Sequence, residues 1–169
     1  MTPPVRGDLD DLYRREHRSV VALAYALSGS RTGAEELAQE AFLEAHRAWD
    51  RISTYDDPGA WVRRVVANRS VSQVRRRLAE ARAFTRLMGR RELPAALPDT
   101  DAEFWRAVRR LPRRQAQAVA LHYLDDLSVA DVAAVLDISP DTVKVHLHRG
   151  RRALADALGL TPIDDEDQR

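Results

Sequence analysis

The chain has 169 residues, is 31% charged and contains no cysteine. This length suffices for one ordinary domain or two small ones, and the lack of cysteine excludes disulfide scaffolds, cysteine-ligated zinc and thiol catalysis. The net charge is only +1, but residues 1–60 carry −4, residues 61–114 carry +10 and residues 115–169 carry −5. A basic centre between acidic ends indicates a polyanion bound in the middle of the chain, although a solvated arginine-rich surface has the same composition.

Targeting signals are absent from the sequence pattern. No apolar run approaches the roughly 18 residues of a membrane span. The N-terminal residues MTPPVRGDLDD lack the apolar segment of a secretory signal. We therefore expect a cytoplasmic protein.

The first half of the chain predicts three helices. Apolar residues recur at helical spacing from Leu9 to Leu27, and Ser28-Gly29-Ser30 follows as a helix end. Thr32 and Glu35 have the spacing of a capping box, which predicts the start of a second helix. Pro58 is placed to open a third helix, whose arginines, including Arg63, Arg64 and Arg69, are available on its outward face.

The helical spacing of apolar residues is lost between Leu78 and Thr100, where Gly89, Pro94 and Pro98 would interrupt any helix. A structureless stretch of about twenty residues is unusual inside one compact domain, so we predict a linker there. Helices resume at Asp101, and no strand alternation of useful length occurs. The predicted fold class is all-α, with two small helical domains at residues 1–78 and 101–160, a flexible linker at 79–100 and an acidic tail at 161–169.

The most specific local signal is LSVADVAAVLDISPDTVKVHLHRGRRAL, residues 127–154. Ser128 is placed to cap a short helix, Asp137-Ile138 makes a tight turn, and Ser139 is placed to cap a second helix with Pro140 at its first position. Two short helices, a tight turn and a cationic second helix are typical of a helix-turn-helix that binds DNA. An ordinary helical hairpin with a charged face is the plainer alternative.

Metal binding and catalysis find no support in the residue pattern. His146 and His148 are two residues apart on a helix and point in different directions, and no carboxylate cluster completes a metal site. No phosphate-binding loop, activated nucleophile or paired catalytic carboxylates can be found. We expect no metal, no cofactor and no enzymatic activity.

The N-terminal half narrows the type of DNA-binding protein. It reads LAQEAFLEAHRAWDRISTYDDPGAWVRRVVANRSVSQVRRR and lacks the strands of a receiver domain. Together with the helix-turn-helix, the span from Leu9 to Leu158 resembles an extracytoplasmic-function (ECF) RNA polymerase sigma factor of the sigma-70 family. Such proteins join a region 2 domain to a region 4 domain through a flexible linker.

The resemblance implies roles for residues in the first domain. The acidic helix that resembles region 2.2 would bind core RNA polymerase at the β′ clamp helices, with the β subunit as a further contact, through Glu35, Glu36, Gln39 and Glu40. The segment that resembles regions 2.3 and 2.4 would open and read the promoter −10 element through Tyr55, Trp61, Arg63, Arg64 and Asn68. Asn68 would read a flipped base and Tyr55 would stack on it, whereas Trp61 is either a core residue or a melting wedge.

The resemblance also assigns the second domain to the −35 element of promoter DNA. The residues concerned are Ser139, Thr142, Lys144, Val145, His148, Arg149 and Arg151. Many family members have glycine where Asp137 stands, and a small or basic residue where Val145 and His146 stand, so the −35 sequence stays open. An anti-sigma factor is a further candidate partner.

Two other functions remain open from the sequence. One is a stand-alone helix-turn-helix regulator that binds duplex DNA without polymerase. The other is a helical adaptor or sequestering protein with no DNA function. Co-purification with core RNA polymerase would separate all three.

Overall fold

The computed structural model describes residues 8–70 and 99–160, and every regular element in these two ranges is helical. The helices of the first range are α1 (Leu9–Ser28), α2 (Arg31–Arg47), α3 (Trp49–Ile52) and α4 (58–70). The helices of the second range are α5 (Asp99–Val108), α6 (Arg113–Tyr123), α7 (Val129–Leu136) and α8 (Pro140–Leu158). α5 thus begins two residues before Asp101, where the sequence predicts that helices resume. The rest of the predicted linker and the predicted tail lie outside the described residues.

Local capping explains where most helices begin. Ser128 accepts a hydrogen bond from the amide of Asp131, and Ser139 accepts one from Thr142, as the sequence predicts. Asp57 accepts from the amide of Ala60 and begins α4 at the expected proline. The capping box predicted at Thr32 is wrong, because Ser30 accepts from Gly33 and starts α2 earlier.

The first domain is built on the packing of α1 against α2. Alanines recur along the buried face of α2, so the two backbones can approach closely. The fully buried side chains of this domain include Leu12, Val20, Leu23, Leu37, Ile52, Val62 and Val66. Burial of each such aliphatic side chain stabilises the fold by about 1.5–3 kcal/mol.

The second domain packs α8 against α5, α6 and α7. Asp137 ends α7 in the left-handed conformation (φ 57°), which an aspartate tolerates better than most residues. α8 crosses α6 at Gly150, where a Cβ atom would lie 2.9 Å from Val119 Cγ2. The glycine is therefore needed for close approach. α7 and α8 with the tight turn between them form the predicted helix-turn-helix.

The two domains are in contact with each other. α1 packs on α5 and α6, and the buried residues of both domains form one continuous hydrophobic cluster. Gln117 of α6 is fully buried and donates to the carbonyl of Ala67 in α4 (2.6 Å). Arg109, just after α5, donates to the carbonyl of Ala26 in the last turns of α1 (3.1 Å). The sequence predicted two helical domains but not this association between them.

Candidate nucleic-acid interface

The outward face of α8 is exposed and polar. Ser139 and Thr142 lie at its N-terminus, with their hydroxyls 2.7 Å apart, so both already take part in the cap. Lys144 lies 3.5 Å from Asp141 in an exposed pair, which contributes little to stability. Further predicted DNA-contacting residues on this face, Val145, His148 and Arg149, are all exposed.

Arg151 differs from the other predicted DNA-contacting residues of α8 because its side chain contacts Tyr123 of α6. Its Nε donates to the Tyr123 hydroxyl (2.5 Å), and its guanidinium lies 5.7 Å from the centre of the Tyr123 ring. The side chain is thus directed back onto α6. A phosphate contact from Arg151 would need this arrangement to change or to be shared.

The residues predicted to act on the −10 element are brought together on α4 and the loop before it. Tyr55 is exposed in that loop. Trp61 is partly buried and packs against the hydrophobic core, which favours the core role over the wedge. Asn68 is exposed near the end of the described part of α4, and its Oδ1 accepts from Arg113 (2.8 Å).

Arg63 does not lie on an outward face as predicted. Its side chain is only 12% exposed and pairs with Glu16 of α1. Asp57 lies 3.8 Å away, and Asp125 of the second domain lies 3.5 Å from Arg63 Nε. Arg63 Nε and Asp125 Oδ2 are both buried without a hydrogen bond. One cation is therefore enclosed by three carboxylates from α1, from the loop before α4 and from the loop after α6.

Burial raises the pKa of Asp125 to about 6, because its carboxylate is removed from water. The attraction of Arg63 lowers this pKa in part, and the nearby Glu16 raises it further. A raised carboxyl pKa means that the folded protein takes up a proton more readily than the unfolded chain. Protonation of Asp125 thus stabilises the folded state below about pH 6.

This shift predicts a pH dependence of stability. As pH rises through about 6, the wild type should lose the contribution of the protonated Asp125 carboxyl, whereas Asp125→Asn cannot titrate there. The difference in free energy of unfolding between the two proteins should therefore change between about pH 4 and pH 7, with Asp125→Asn gaining relative to wild type at the higher pH. Urea titrations at both pH values measure it. An unchanged difference would contradict the assignment to Asp125.

Arg64 also reaches the second domain. Its guanidinium donates to the carbonyls of Ala134 (2.6 Å) and Val135 (2.9 Å) in the last turn of α7. The last turn of α7 contains no basic residue of its own. Arg64 thus satisfies free carbonyls at the negative end of a helix dipole.

The acidic face of α2 carries the residues predicted to bind polymerase. Glu35, Glu36, Gln39 and Glu40 are all exposed. Glu35 and Gln39 line a surface groove of about 450 Å³ whose other wall includes Tyr13 and His17 of α1. The Glu40 carboxylate accepts from Arg69 of α4 (3.0 Å). This face therefore combines negative charge with an aromatic groove.

Other kinds of site find little support in residues 8–70 and 99–160. No group of three histidine, cysteine or acidic side chains there could hold a metal ion. His146 is partly buried, and burial together with Arg114 and Arg149 lowers its pKa, whereas His148 is exposed. None of the helices in these ranges is long and apolar enough to cross a membrane.

Sequence reasoning missed several residues at the contact between the domains. Glu16 occupies a position between Leu12 and Val20 on the apolar stripe of α1, and a charge on such a stripe is a signal of a buried pair. Gln117 similarly lies four residues before the fully buried Leu121. Asp125 and Arg113 carry no comparable signal, because their partners are known only from the fold.

Comparison with known proteins identifies both domains. Residues 12–79 match the family model for sigma-70 region 2, and residues 101–154 match that for sigma-70 region 4. The chain is 32% identical over 158 residues to the ECF RNA polymerase sigma factor SigM of Mycobacterium tuberculosis, covering 92% of this chain and 81% of the relative. It is 25% identical over 163 residues to SigW of Bacillus subtilis, covering 88% and 86%.

Solved structures show the same fold. The sigma factor RpoE of Bartonella quintana, solved in complex with the anti-sigma factor NepR, superposes with a TM-score of 0.70 at 24% identity, covering 90% of this chain and 97% of that one. CnrH, solved with the cytosolic domain of CnrY, gives a TM-score of 0.64 at 20% identity, covering 89% and 87%. The chain belongs to the extracytoplasmic-function (ECF) sigma factors of the sigma-70 family and is an alternative sigma factor in transcription initiation.

Proposed function

We propose that this protein binds core RNA polymerase and directs it to promoters by reading two DNA elements, acting in the cytoplasm by binding and not by catalysis. The observation that carries the proposal is the exposed polar face of α8 in a capped helix-turn-helix that matches sigma-70 region 4. Lys144, Val145, His148 and Arg149 would contact base edges of the −35 element. Ser139, Thr142 and Arg151 would contact phosphates.

The first domain would act on the −10 element. Asn68 would capture a flipped base, Tyr55 would stack on it, and Arg63 and Arg64 would contact the separated strands. Trp61, which packs on the core, would hold α4 in position. Loss of stacking costs about 1.4 kcal/mol per base step, and each captured base returns roughly 1–3 kcal/mol. A few captured bases can therefore stabilise an opening that polymerase begins.

The acidic face of α2 is our proposed polymerase contact, with Glu35, Glu36, Gln39 and Glu40 facing the β′ clamp helices and the β subunit touching the chain elsewhere. Its charge suits a basic partner. We also propose domain limits of 1–78 and 101–160, with a linker at 79–100 and a tail at 161–169. One of the two superposed structures contains an anti-sigma factor, and a protein of that type is a candidate regulator here.

Transcription in vitro tests the proposal. Core polymerase with this protein should initiate from a distinct set of promoters on genomic DNA, and sequencing the transcripts should reveal shared −10 and −35 motifs. The protein should also co-purify with core polymerase. Sequence-specific duplex binding without polymerase would favour the stand-alone regulator. The absence of both transcription and DNA binding would favour an adaptor.

Substitution on α8 tests the −35 assignment. Lys144→Ala and Arg149→Ala should each weaken promoter binding by the holoenzyme by roughly 5- to 150-fold, equivalent to about 1–3 kcal/mol for a base contact. Their side chains are exposed, so thermal stability should hardly change. Filter-binding titrations with native and −35-substituted promoters measure the loss. Equal weakening on both promoters would assign the residue to phosphates, and no weakening would remove it from the interface.

A further inference from the structure

Tyr123 is the last residue of α6, and it contacts the proposed −35 face of α8. It is 51% exposed. Its hydroxyl accepts a hydrogen bond from Arg151 Nε (2.5 Å), and the Arg151 guanidinium lies 5.7 Å from the centre of its ring. One side chain of α6 therefore holds an arginine of α8 in two ways, by a hydrogen bond and by a cation–π contact.

The close crossing of α6 and α8 brings these two residues together. Val119 lies four residues before Tyr123 and so on the same face of α6. Gly150 lies directly before Arg151 on α8, and a Cβ atom at Gly150 would lie 2.9 Å from Val119 Cγ2. The contact between Tyr123 and Arg151 thus continues the close packing at Gly150 by one helical turn of α6.

The Tyr123 ring is itself supported by its neighbours. The rings of His122 and Tyr123 are 4.9 Å apart and meet edge to face, with 78° between their planes. His122 Nδ1 lies 2.7 Å from the carbonyl oxygen of Leu127. A carbonyl oxygen only accepts, so Nδ1 carries the proton and donates. This bond ties the aromatic pair to the residue before Ser128, the N-cap of α7.

Arg151 lies on the same face of α8 as two exposed residues that we propose to read the −35 element. Lys144, His148 and Arg151 follow one another at spacings of four and three residues, which places them along one side of a helix. The bond to Tyr123 uses Nε of Arg151. Arginine has five N–H donors, so a guanidinium held through Nε can also donate to a phosphate oxygen through its terminal nitrogens.

The contact restricts a long side chain before DNA arrives. When a freely rotating arginine binds a phosphate, it loses conformational entropy, and this loss weakens binding. A guanidinium that is already ordered loses less. We propose that Tyr123 is a positioning residue of the −35 interface, which fixes the guanidinium of Arg151 for a phosphate of promoter DNA. The inference rests on the proposed phosphate contact of Arg151, and it adds a residue of α6 to that interface.

The test begins from the smallest change at Tyr123. Tyr123→Phe removes the hydroxyl that accepts from Arg151 and keeps the ring, with its contacts to His122 and to the guanidinium. It is combined with Arg151→Ala and, as a matched control, with Arg152→Ala at the adjacent exposed arginine. Circular dichroism establishes that each full-length variant is folded. Anisotropy then measures binding of each holoenzyme to a promoter that the wild type transcribes, between about 50 and 200 mM salt.

The expected result is a loss of affinity that depends on Arg151. Tyr123→Phe should weaken promoter binding about 3- to 10-fold, the scale of ordering one long side chain, and should leave the salt dependence unchanged. Arg151→Ala should weaken binding and lower the slope of log affinity against log salt by about 1, because one phosphate contact is lost. Tyr123→Phe should then change affinity less than about twofold in the Arg151→Ala background and should keep its full effect in the Arg152→Ala background.

The positioning is also measurable without DNA. The Nε–H group of Arg151 gives its own NMR signal, which is identified by its loss in Arg151→Ala. Its order parameter should fall in Tyr123→Phe, because the hydroxyl that holds Nε is gone. An unchanged order parameter would overturn the inference.

The binding outcomes separate the inference from the function beneath it. An equal loss of affinity on Tyr123→Phe with and without Arg151 would overturn the inference alone, as would no loss on Tyr123→Phe when Arg151→Ala is impaired. If Arg151→Ala changes neither the affinity nor the salt slope, the phosphate contact is rejected together with the inference. Failure of the wild type to direct transcription with core polymerase would reject the proposed function as a whole.

Discussion

The isolated protein should bind a closed promoter duplex only in the nonspecific range, about 10⁻⁴ to 10⁻⁶ M at physiological salt. α8 alone would make few phosphate contacts, and residues 115–169 carry a net charge of −5, so we expect general attraction to DNA to be weak. The residues that we propose to act on the −10 element would bind a single strand, and the closed duplex offers none. With core polymerase, binding should tighten to the range of specific complexes, about 10⁻⁸ M or better.

The expected gain in promoter affinity arises because polymerase fixes the spacing of the two domains and raises the effective concentration of each domain at its promoter element. Anisotropy titrations with and without core enzyme, on native and scrambled promoters, measure it. A shift of at least a hundredfold confined to the native promoter is expected. Tight, sequence-specific binding by the protein alone would favour the stand-alone regulator instead.

Replacing Arg63 by leucine should destabilise the protein by about 3–5 kcal/mol, the usual cost of leaving buried charges without their partner. Arg63 is the cation shared by Glu16 and Asp125, whose side chains are only 10% and 4% exposed. Their carboxylates would repel one another or take up protons. Urea unfolding monitored by circular dichroism gives the change in free energy of unfolding.

A paired replacement separates stability from DNA contact. Arg63→Leu with Glu16→Leu removes both members of the main ion pair and should recover part of the lost stability, because apolar replacements of a buried pair are often neutral, whereas Asp125 stays buried without its cation. Promoter opening by the holoenzyme should stay impaired in both variants. Recovery of opening along with stability would show that Arg63 supports the fold and does not contact DNA.

The elements set by local chemistry were predictable from the sequence. Ser139 and Pro140 were correctly predicted to begin α8, because an N-cap depends on residues within one turn. The capping box predicted at Thr32 was wrong, and the reason also lies within one helical turn. Ser30 directly follows the left-handed Gly29 and reaches the free amide of Gly33 first.

The interactions between the domains could not be predicted in this way. Arg63 was placed outward because arginine on an amphipathic helix usually faces solvent, yet a carboxylate from a loop 62 residues later encloses it. The exposed face of α8 was easier to predict from the sequence, since its polar residues alternate with the buried Val143 and Leu147 at helical spacing. Side chains whose partners are distant in sequence carry no local signal of that kind.

The close approach at Gly150 gives α8 two faces under different constraints. The inner face packs closely on α6, since any larger residue at 150 would press on Val119 Cγ2 and force the helix or that side chain to shift. The outer face carries Lys144, Val145 and His148 with little packing around them. With the proposed −35 role for this outer face, a lineage could exchange outer-face residues and acquire a new −35 preference without refolding the domain, so that copies of one such gene could diverge toward separate sets of promoters.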